Sequence, residues 1–278
     1  MFAVLESQVL APNLHMLTLE APDVARQAQA GQFVILRAEE DGERIPLSLA
    51  DWDAAKGIIT VVIVNVGKTT DRLTRLKAGQ AVPTVAGPLG RPLKIEPVKA
   101  VCLVGGCYGV GSIYPLARAY RRQGSRVLIV LEGKSGFAFY WEEKLRSIAD
   151  KIVYITRDGT RGARGHIDLL PRAIEASGEL VERVIANGCN HLLSEVCTAT
   201  QPLGLPTQVC LNTLMIDGTG MCGVCRVTVG GQMKFACVDG PYFDGHAVDW
   251  QELFQRRQSY LREEVQSLRS SAGMEECL

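Results

Sequence analysis

Two kinds of hydrophobic pattern divide the chain. Up to about residue 97, short apolar, β-branched runs such as GQFVILRAE (31–39) and GIITVVIVNVG (57–67) alternate with turn formers. The turns fall at Ala11-Pro12-Asn13, Asp41-Gly42, Gly79-Gln80 and Gly87-Pro88. Short strands with frequent turns predict a small β-barrel or sandwich. Near Ala100 the pattern changes. AVCLV, VLIVLE, KIVYIT and RVIAN read as brief buried strands, and IYPLARAYRRQG and CNHLLSEVCTA as helices. Strands alternating with helices predict a parallel, doubly wound α/β sheet. Further on, RVTVGGQMKFAC reads as a hairpin, with Gly230-Gly231 supplying positive φ at its turn. In the tail, Trp250, Leu253, Phe254, Leu261, Val265 and Leu268 recur at helical spacing, and Asp249 with Glu252 forms a capping-box pair. The tail predicts a helix packed on its own domain. The domains read as 1–97, 98–206 and 207–278: a multidomain β plus α/β protein with a small C-terminal segment.

Composition narrows the classes. The 278 residues allow two or three domains and a sizeable core. Lys+Arg and Asp+Glu are 30 each, so net charge makes no case for nucleic acid or an anionic membrane. No apolar run reaches about 18 residues, so no membrane span is expected. The start, MFAVLESQVL, lacks the charged and apolar regions of a signal peptide, and none is expected. Nine cysteines, an odd number, argue against a disulfide framework and for a reducing, cytoplasmic compartment.

Four residues of 217–237, DGTGMCGVCRVTVGGQMKFAC, are spaced Asp217-x4-Cys222-x2-Cys225-x11-Cys237. A plant-type [2Fe–2S] site uses Cys-x4-Cys-x2-Cys and a distant fourth Cys. The spacing is kept here, with Asp at the first ligand position. Gly218, Gly220 and Gly223 would let the backbone curl around an inorganic core and aim N–H groups at its sulfurs. An Asp ligand is harder than thiolate and can be protonated, so it is expected to shift the reduction potential and make it pH-dependent. The competing readings are a Cys3Asp zinc site or free thiols, although zinc favours paired Cys-x2-Cys elements and only one such pair is present. Cys102, Cys107, Cys189, Cys197, Cys210 and Cys277 lack ligand spacing and are expected mainly as small buried hydrophobes.

Upstream lie nucleotide and flavin signals. Gly105-Gly106-Cys107-Tyr108-Gly109-Val110-Gly111 sits between a strand and a helix, where glycines admit a pyrophosphate to the helix N-terminus. A tight structural turn is the alternative. Ala186-Asn187-Gly188-Cys189 would lie at the same sheet edge. In the β domain, Arg44-Ile45-Pro46-Leu47-Ser48 and Gly67-Lys68-Thr69-Thr70, with Val64 just before the second, mark candidate flavin contacts. Ser48 is a candidate hydrogen-bond partner of flavin N5, and Lys and Thr suit a pyrophosphate. Without that context these are turn and cap residues. Glu132 ends the second α/β strand, where an acid binds a ribose 2′-hydroxyl, so NAD is favoured over NADP despite Lys134 nearby.

This order of domains and motifs resembles the ferredoxin–NADP reductase-like superfamily, over essentially the whole chain. More narrowly it resembles the electron-transfer subunits of class B dihydroorotate dehydrogenase and their relatives, the small subunits of NADH-dependent ferredoxin:NADP oxidoreductase. DGTGMCGVCRVTVGG followed by FACVDGPYFDGH is the specific part. It is similar to the latter small subunits, whose cluster has one Asp and three Cys ligands, matching Asp217, Cys222, Cys225 and Cys237. The dihydroorotate-type subunits use four Cys. The resemblance implies FAD in the barrel, with Pro46, Leu47 and Ser48 at the flavin motif and Thr69 and Thr70 at its phosphate-binding turn. The superfamily's Arg three residues before the Ser is Ile45 here, with Arg44 adjacent. Gly105, Gly106, Tyr108 and Gly109 match the nicotinamide-nucleotide loop. The later loop, usually Ala-Cys-Gly-Pro, reads Ala186-Asn187-Gly188-Cys189 and lacks the Pro.

The resemblance further implies a relay from NAD(H) through FAD to the [2Fe–2S] cluster. It implies a heterodimer with a large subunit that holds FAD and [4Fe–4S] clusters, binds NADP(H), connects to ferredoxin and bifurcates electrons. Cofactors carry such chemistry, so no catalytic side chain is expected beyond Ser48 beside the flavin. His15, His166, His191 and His246 are expected to be structural, with His246 the nearest in sequence to the cluster ligands. The alternatives are an electron-transfer subunit of class B dihydroorotate dehydrogenase and a zinc-stabilised nucleotide-binding regulator.

Overall fold

A computed structural model describes residues 1–271; Cys277 and the side chain of Leu268 lie outside the described parts. The N-terminal region is one antiparallel sheet of β1 (Phe2–Ala11), β2 (Leu14–Glu20), β3 (Phe33–Arg37), β4 (Ile45–Asp53), β5 (Ile58–Val64), β6 (Ala81–Val82) and β7 (Thr84–Leu89). The spatial order is β6-β1-β2-β5-β4-β3-β7. Pro83 alone separates β6 from β7, yet they form opposite edges. The sheet must therefore curl until its edges nearly meet, which makes it a nearly closed barrel. Leu17, Leu19, Val34, Leu36, Ile59, Val61 and Ile63 fill it. Helices α1 (Pro22–Gln27) and α2 (Lys68–Thr74) lie between its strands in sequence.

The second sheet contains β8 (Ala100–Gly106), β9 (Arg126–Gly133), β10 (Lys151–Thr156), β11 (Ala163–Arg164), β12 (Val181–Asn187) and β13 (Thr207–Cys210), all parallel, in the order β11-β10-β9-β8-β12-β13. It is accompanied by α3 (Gly109–Arg122), α4 (Glu142–Arg146), α5 (Leu170–Ser177) and α6 (Asn190–Thr200). Successive residues of the central strands face opposite sides. Cys102, Val104, Leu128 and Val130 belong to one core, and Val101, Leu103, Val127 and Ile129 to the other. Both faces are covered, so β8 is buried throughout and reads as a continuous apolar run. Strand order reverses between β8 and β12. The loops that follow these two strands therefore flank the switch point where ligands bind doubly wound sheets.

Beyond β13 come the hairpin β14 (Arg226–Val229) and β15 (Gln232–Phe235), then β16 (Tyr242–Asp244). The predicted hairpin turn is present: Val229 pairs with Gln232, and Gly230 and Gly231 have φ of 59° and 72°. β16 returns to pair antiparallel with β13, through Gln208↔Asp244, Val209↔Phe243 and Cys210↔Tyr242. The boundary read at 206/207 thus falls one strand early. The segment TQVC is too short to show its place before its distant partners are known. The expected single tail helix is two, α7 (Trp250–Arg257) and α8 (Leu261–Ser271). Half of the capping box forms, with Asp249 Oδ1 accepting from Glu252 N at 2.9 Å. The Glu252 carboxylate instead accepts from Thr228 N at 3.2 Å, because α7 is moored to the hairpin. Leu253 is buried and Phe254 stacks on His191 at 4.6 Å, which docks α7 on the α/β domain. Among the described residues no helix is long and apolar enough to cross a membrane.

The barrel and α/β domain meet along α3. A Cβ on Gly111 would lie 2.9 Å from Val62 and 3.2 Å from Ala50, so glycine lets the helix rest on the barrel wall. Beside this contact Asp51 of β4 accepts from Arg118 at 2.8 Å and pairs with Lys144. Both cations also lie over aromatic rings, Arg118 over Trp52 and Tyr114, Lys144 over Tyr114 and Trp141.

Candidate functional site

A cavity of about 210 Å³ opens at this seam. Pro46, Leu47, Ser48, Val64 and Thr70 line it from the barrel, with Tyr108 and Asn187 from the loops at the sheet edge. Its third wall is the stretch after β13: Cys210, Leu211, Asn212, Thr213 and Met215. The lining is mainly apolar with a few convergent polar groups, the usual make-up of a cofactor site. Thr213 Oγ1 is buried there without a hydrogen-bond partner.

Arg44 and Thr69 do not line the cavity, and Thr70 lines it with its hydroxyl already bonded. Arg44 turns from the cavity to the cysteine loop and donates to the backbone oxygens of Ile216 (3.2 Å) and Asp217 (3.1 Å). Thr69 is buried and donates to Glu43 Oε2 at 3.0 Å. The Thr70 hydroxyl closes its own turn, donating to the Gly67 oxygen and accepting from the Gly67 N–H, both at 2.9 Å.

In the nucleotide loop, Gly105 and Gly106 complete β8 and are buried. A Cβ on Gly106 would lie 2.5 Å from Leu192, and one on Gly109 2.0 Å from the Asn187 oxygen. Here glycine first of all lets the two switch-point loops pack on each other. Val110 was expected among the cofactor contacts, but it is fully buried in the core because the phase of α3 turns it inward. The exposed tip is Cys107, with φ of 52°, followed by the half-buried Tyr108. Cys189 is exposed too, so neither cysteine is the buried hydrophobe expected; both sit on loop tips. Cys102, Cys197 and Cys210 are buried.

Hydrogen bonds hold the loops. Tyr108 donates to the Gly188 oxygen at 2.7 Å and accepts from Asn212 Nδ2 at 2.8 Å. Asn187 Nδ2 donates to the Tyr242 hydroxyl at 3.0 Å. Tyr140 accepts from Gly111 N at 2.7 Å, fixing the first turn of α3. Burial raises the Tyr108 and Tyr140 phenols and pushes the Cys210 thiol up to about 12, so all three stay neutral near pH 7.

In the cysteine loop, Gly218, Gly220 and Gly223 all have positive φ (83°, 91° and 65°), and the backbone curls as expected. Cys225 and Cys237 are buried with their sulfurs 3.3 Å apart. Cys222 is exposed, and the nearby backbone N–H of Val224, with that of Asp217, lowers its thiol pKa. Asp217 Oδ2 accepts from the Thr219 hydroxyl, from Thr219 N (2.8 Å) and from Met221 N (3.3 Å), which holds its carboxyl below the usual range. Cys225 and Cys237 thus form one close pair, and Asp217 acts on Cys222 through its backbone N–H and its charge. Among the described residues no three His, Cys, Asp or Glu gather around one point, as a tetrahedral zinc site requires. A close pair suits a two-iron core, whose four ligands are shared between the irons. His246 lies apart from these ligands, with Nε2 3.0 Å from Thr200 Oγ1, where it anchors its turn to α6.

The sequence reading missed Cys210, Asn212, Thr213, Met215 and Tyr242. Their one available signal was position: they flank the cysteine loop in sequence.

Residues 212–249 match the iron–sulfur cluster binding domain of dihydroorotate dehydrogenase B. A dihydroorotate dehydrogenase B (NAD(+)) electron transfer subunit homolog from Thermotoga maritima is 38% identical over 260 residues, covering 92% of this chain and 90% of its own. The corresponding electron transfer subunit of Geobacillus kaustophilus is 31% identical over 249 residues, covering 86% and 94%. Among solved structures, a chain of the NADH-dependent reduced ferredoxin-NADP oxidoreductase, studied for flavin-based electron bifurcation, has a TM-score of 0.91 and 35% identity, with 98% of each chain covered. The chain therefore belongs to the family of dihydroorotate dehydrogenase B electron-transfer subunits, iron–sulfur flavoprotein oxidoreductase subunits on a ferredoxin-reductase-like fold.

Proposed function

We propose that this chain is the NAD(H)-side electron-transfer subunit of an electron-bifurcating NADH-dependent ferredoxin:NADP oxidoreductase. One observation carries the reading: a single short segment serves two sites. It lines the seam cavity from Cys210 to Met215 and reaches the first ligand position, Asp217, two residues later. The likeness to the NADH-dependent reduced ferredoxin-NADP oxidoreductase over 98% of both chains supports it.

The residues present fit the groups implied. FAD would be held by Pro46, Leu47, Ser48, Val64 and Thr70, with the unpartnered Thr213 hydroxyl offering a hydrogen bond that a polar cofactor edge satisfies. A [2Fe–2S] cluster would be held by Asp217, Cys222, Cys225 and Cys237. When bound, flavin converts two-electron hydride chemistry to one-electron chemistry and the cluster carries single electrons. The chain supplies placement and shielding. Phe33, Leu47 and Val62 give the cavity apolar walls. Tyr108 and Asn187 line it and are braced by Asn212 and Tyr242, so NAD(H) docked on the switch-point loops would meet it there. Loop N–H groups hold the Asp217 carboxylate in place.

The partner in this reading is a large flavin and [4Fe–4S] subunit that binds NADP(H) and communicates with ferredoxin, forming a heterodimer. Exposed Ile216 and Met221 on the cysteine loop give it an apolar contact where electrons would leave. After anaerobic reconstitution the protein should show flavin and [2Fe–2S] absorbance and NADH–dye reductase activity. A colourless, inactive preparation would refute the reading. The likeness to dihydroorotate dehydrogenase B electron-transfer subunits favours a second one, a dihydroorotate dehydrogenase electron-transfer subunit. Asp217 weighs against it, because the resemblance gives those subunits four Cys ligands. Co-purification decides: the first reading expects a partner that reduces NADP+, the second one that oxidises dihydroorotate.

A further inference from the structure

The loops that follow β8 and β12 each carry an exposed cysteine that the relay does not use, Cys107 and Cys189. The two strands pair in parallel through Cys102↔Val184, Leu103↔Ile185, Val104↔Ala186 and Gly105↔Asn187. Continued by two residues, this register sets Cys107 opposite Cys189. Contacts beyond the last pair keep the loops together. A Cβ on Gly188 would lie 3.2 Å from the Gly106 oxygen, and one on Gly109 2.8 Å from the Gly188 nitrogen. The Tyr108 hydroxyl donates to the Gly188 oxygen at 2.7 Å. Gly188, the residue before Cys189, thus lies against the residues on both sides of Cys107. Neighbouring strands run about 4.8 Å apart, and a disulfide needs Cα atoms about 4.4–6.8 Å apart. The register therefore offers the spacing of a disulfide.

Two further observations set these thiols apart. Cys107 has φ of 52°, in the left-handed region that favours glycine, yet this tip of a glycine-rich loop carries a thiol. Desolvation raises that thiol above its ordinary value; the Tyr108 N–H opposes this, and charge on Cys189 and Glu132 adds to it. The two thiols are thus within electrostatic reach of each other. Among the described residues no three His, Cys, Asp or Glu gather as a metal site, so the pair has no third ligand. We propose that Cys107 and Cys189 close into a reversible disulfide that bars NAD(H) from the crevice between the two switch-point loops. The barring rests on the reading of the α/β domain as the dinucleotide site; formation of the disulfide does not.

The oxidant is a low-molecular-weight disulfide. One cysteine thiolate attacks it, forms a mixed disulfide and expels one thiolate of the reagent. The second cysteine attacks the mixed disulfide at the protein sulfur, forms the Cys107–Cys189 bond and expels the other. The two protein thiols lose two protons and two electrons, and the reagent takes up both and leaves as two thiols. Both cysteines stand at helix starts. Cys189 is the N-cap of α6, and Cys107 directly precedes Tyr108, the N-cap of α3. A dinucleotide pyrophosphate docks at such a start beside the switch point. Free thiol side chains can turn aside from it, whereas a bridge between the loop tips cannot. Excess thiol reverses the exchange and reopens the crevice. In a reducing compartment such disulfides are transient and serve catalysis or redox sensing.

The test treats the flavin- and cluster-loaded protein anaerobically with oxidised glutathione, for wild type, Cys107→Ser and Cys189→Ser. Peptide mapping of oxidised wild type should join Cys107 to Cys189. Its NADH–dye activity should fall about tenfold or more against the reduced protein, the scale of one lost hydrogen bond to a charged group. Dithiothreitol should restore it. Each serine variant should instead hold glutathione on its remaining loop cysteine, with no link between the loops. Absence of the Cys107–Cys189 link in wild type overturns the proposal. So does a complete link with NADH–dye activity unchanged. The wild-type mapping and activity need no variant, so they decide even if a serine variant fails to fold. If reduced wild type has no NADH–dye activity, the dinucleotide reading itself falls, and the barrier with it.

Discussion

Arg44 Nη2 donates to the backbone oxygen of Asp217 at 3.1 Å. Its Nε donates to the oxygen of Ile216 at 3.2 Å. Arg44 immediately precedes Ile45–Ser48, which line the seam cavity. One side chain thus ties the start of β4 to the backbone of the first ligand position, and the spacing between cavity and cysteine loop depends on it. Arg44→Ala removes both bonds at a partly exposed site and should cost about 1–2 kcal/mol. Flavin content should be unchanged, while cluster absorbance bleaches faster in a chelator. Equal bleaching rates in variant and wild type would show that the tie does not hold the loop.

Thr213 offers a cleaner test of the cavity. Its hydroxyl is buried without a partner, which costs free energy in the unliganded chain. Thr213→Val keeps the shape and removes that cost, so the flavin-free protein should be as stable as wild type or more so. If FAD satisfies the hydroxyl, the same change should weaken flavin binding about tenfold. Fluorescence titration of the flavin-free protein measures this, and equal affinities would move the flavin edge away from Thr213.

What could be read from sequence follows from where the signal lies. β8 was legible because a central parallel strand buried on both faces must be continuously apolar, and AVCLVGG is. The hairpin was legible because two adjacent glycines answer a local backbone demand. β13 and β16 were not. β13 is set by pairing with β12 on one side and β16 on the other, and β16 by pairing with β13 alone, Cys210 with Tyr242; neither carries a local signal of it. The break between α7 and α8 falls at Gln258-Ser259-Tyr260, where neither Pro nor Gly marks it. In the site, motif spacing pointed to the loops, but side-chain direction was set by tertiary packing. Val110 faces the core by helix phase, Arg44 faces the cysteine loop, and Thr213 gains its interest only from a burial that no local pattern records.

The oxygen ligand proposed at Asp217 predicts a change in redox behaviour. Its carboxylate is already oriented by Thr219 and Met221 N–H groups, so Asp217→Cys changes the donor atom within a preformed loop. The variant should assemble a cluster with a midpoint potential displaced by tens of millivolts, since ligand type is one of the main determinants of cluster potential. Potentiometric titration with electron paramagnetic resonance detection reads it. Coincident curves, with clusters assembled in both proteins, would remove Asp217 from the iron.

A last prediction concerns stability against pH, away from every cofactor. Asp150 joins α3, β9 and the turn before β10. It accepts from the Val127 N–H at 2.8 Å and from Arg121 at 3.0 Å. Partial burial opposes its charge, but the Val127 N–H and the Arg121 and Arg126 guanidinium groups outweigh that and hold its pKa below the usual carboxylate range. The folded pKa thus lies below the unfolded value of about 3.9. Asp150 therefore contributes its full stabilisation above the unfolded pKa and loses it as pH falls through the folded one. Asp150→Asn should destabilise the protein by about 1–2 kcal/mol at pH 7. The gap between variant and wild type should narrow progressively below about pH 4. Chemical denaturation at several pH values measures both curves. A gap that stays constant down to pH 3 would mean that the Asp150 charge adds nothing beyond its shape.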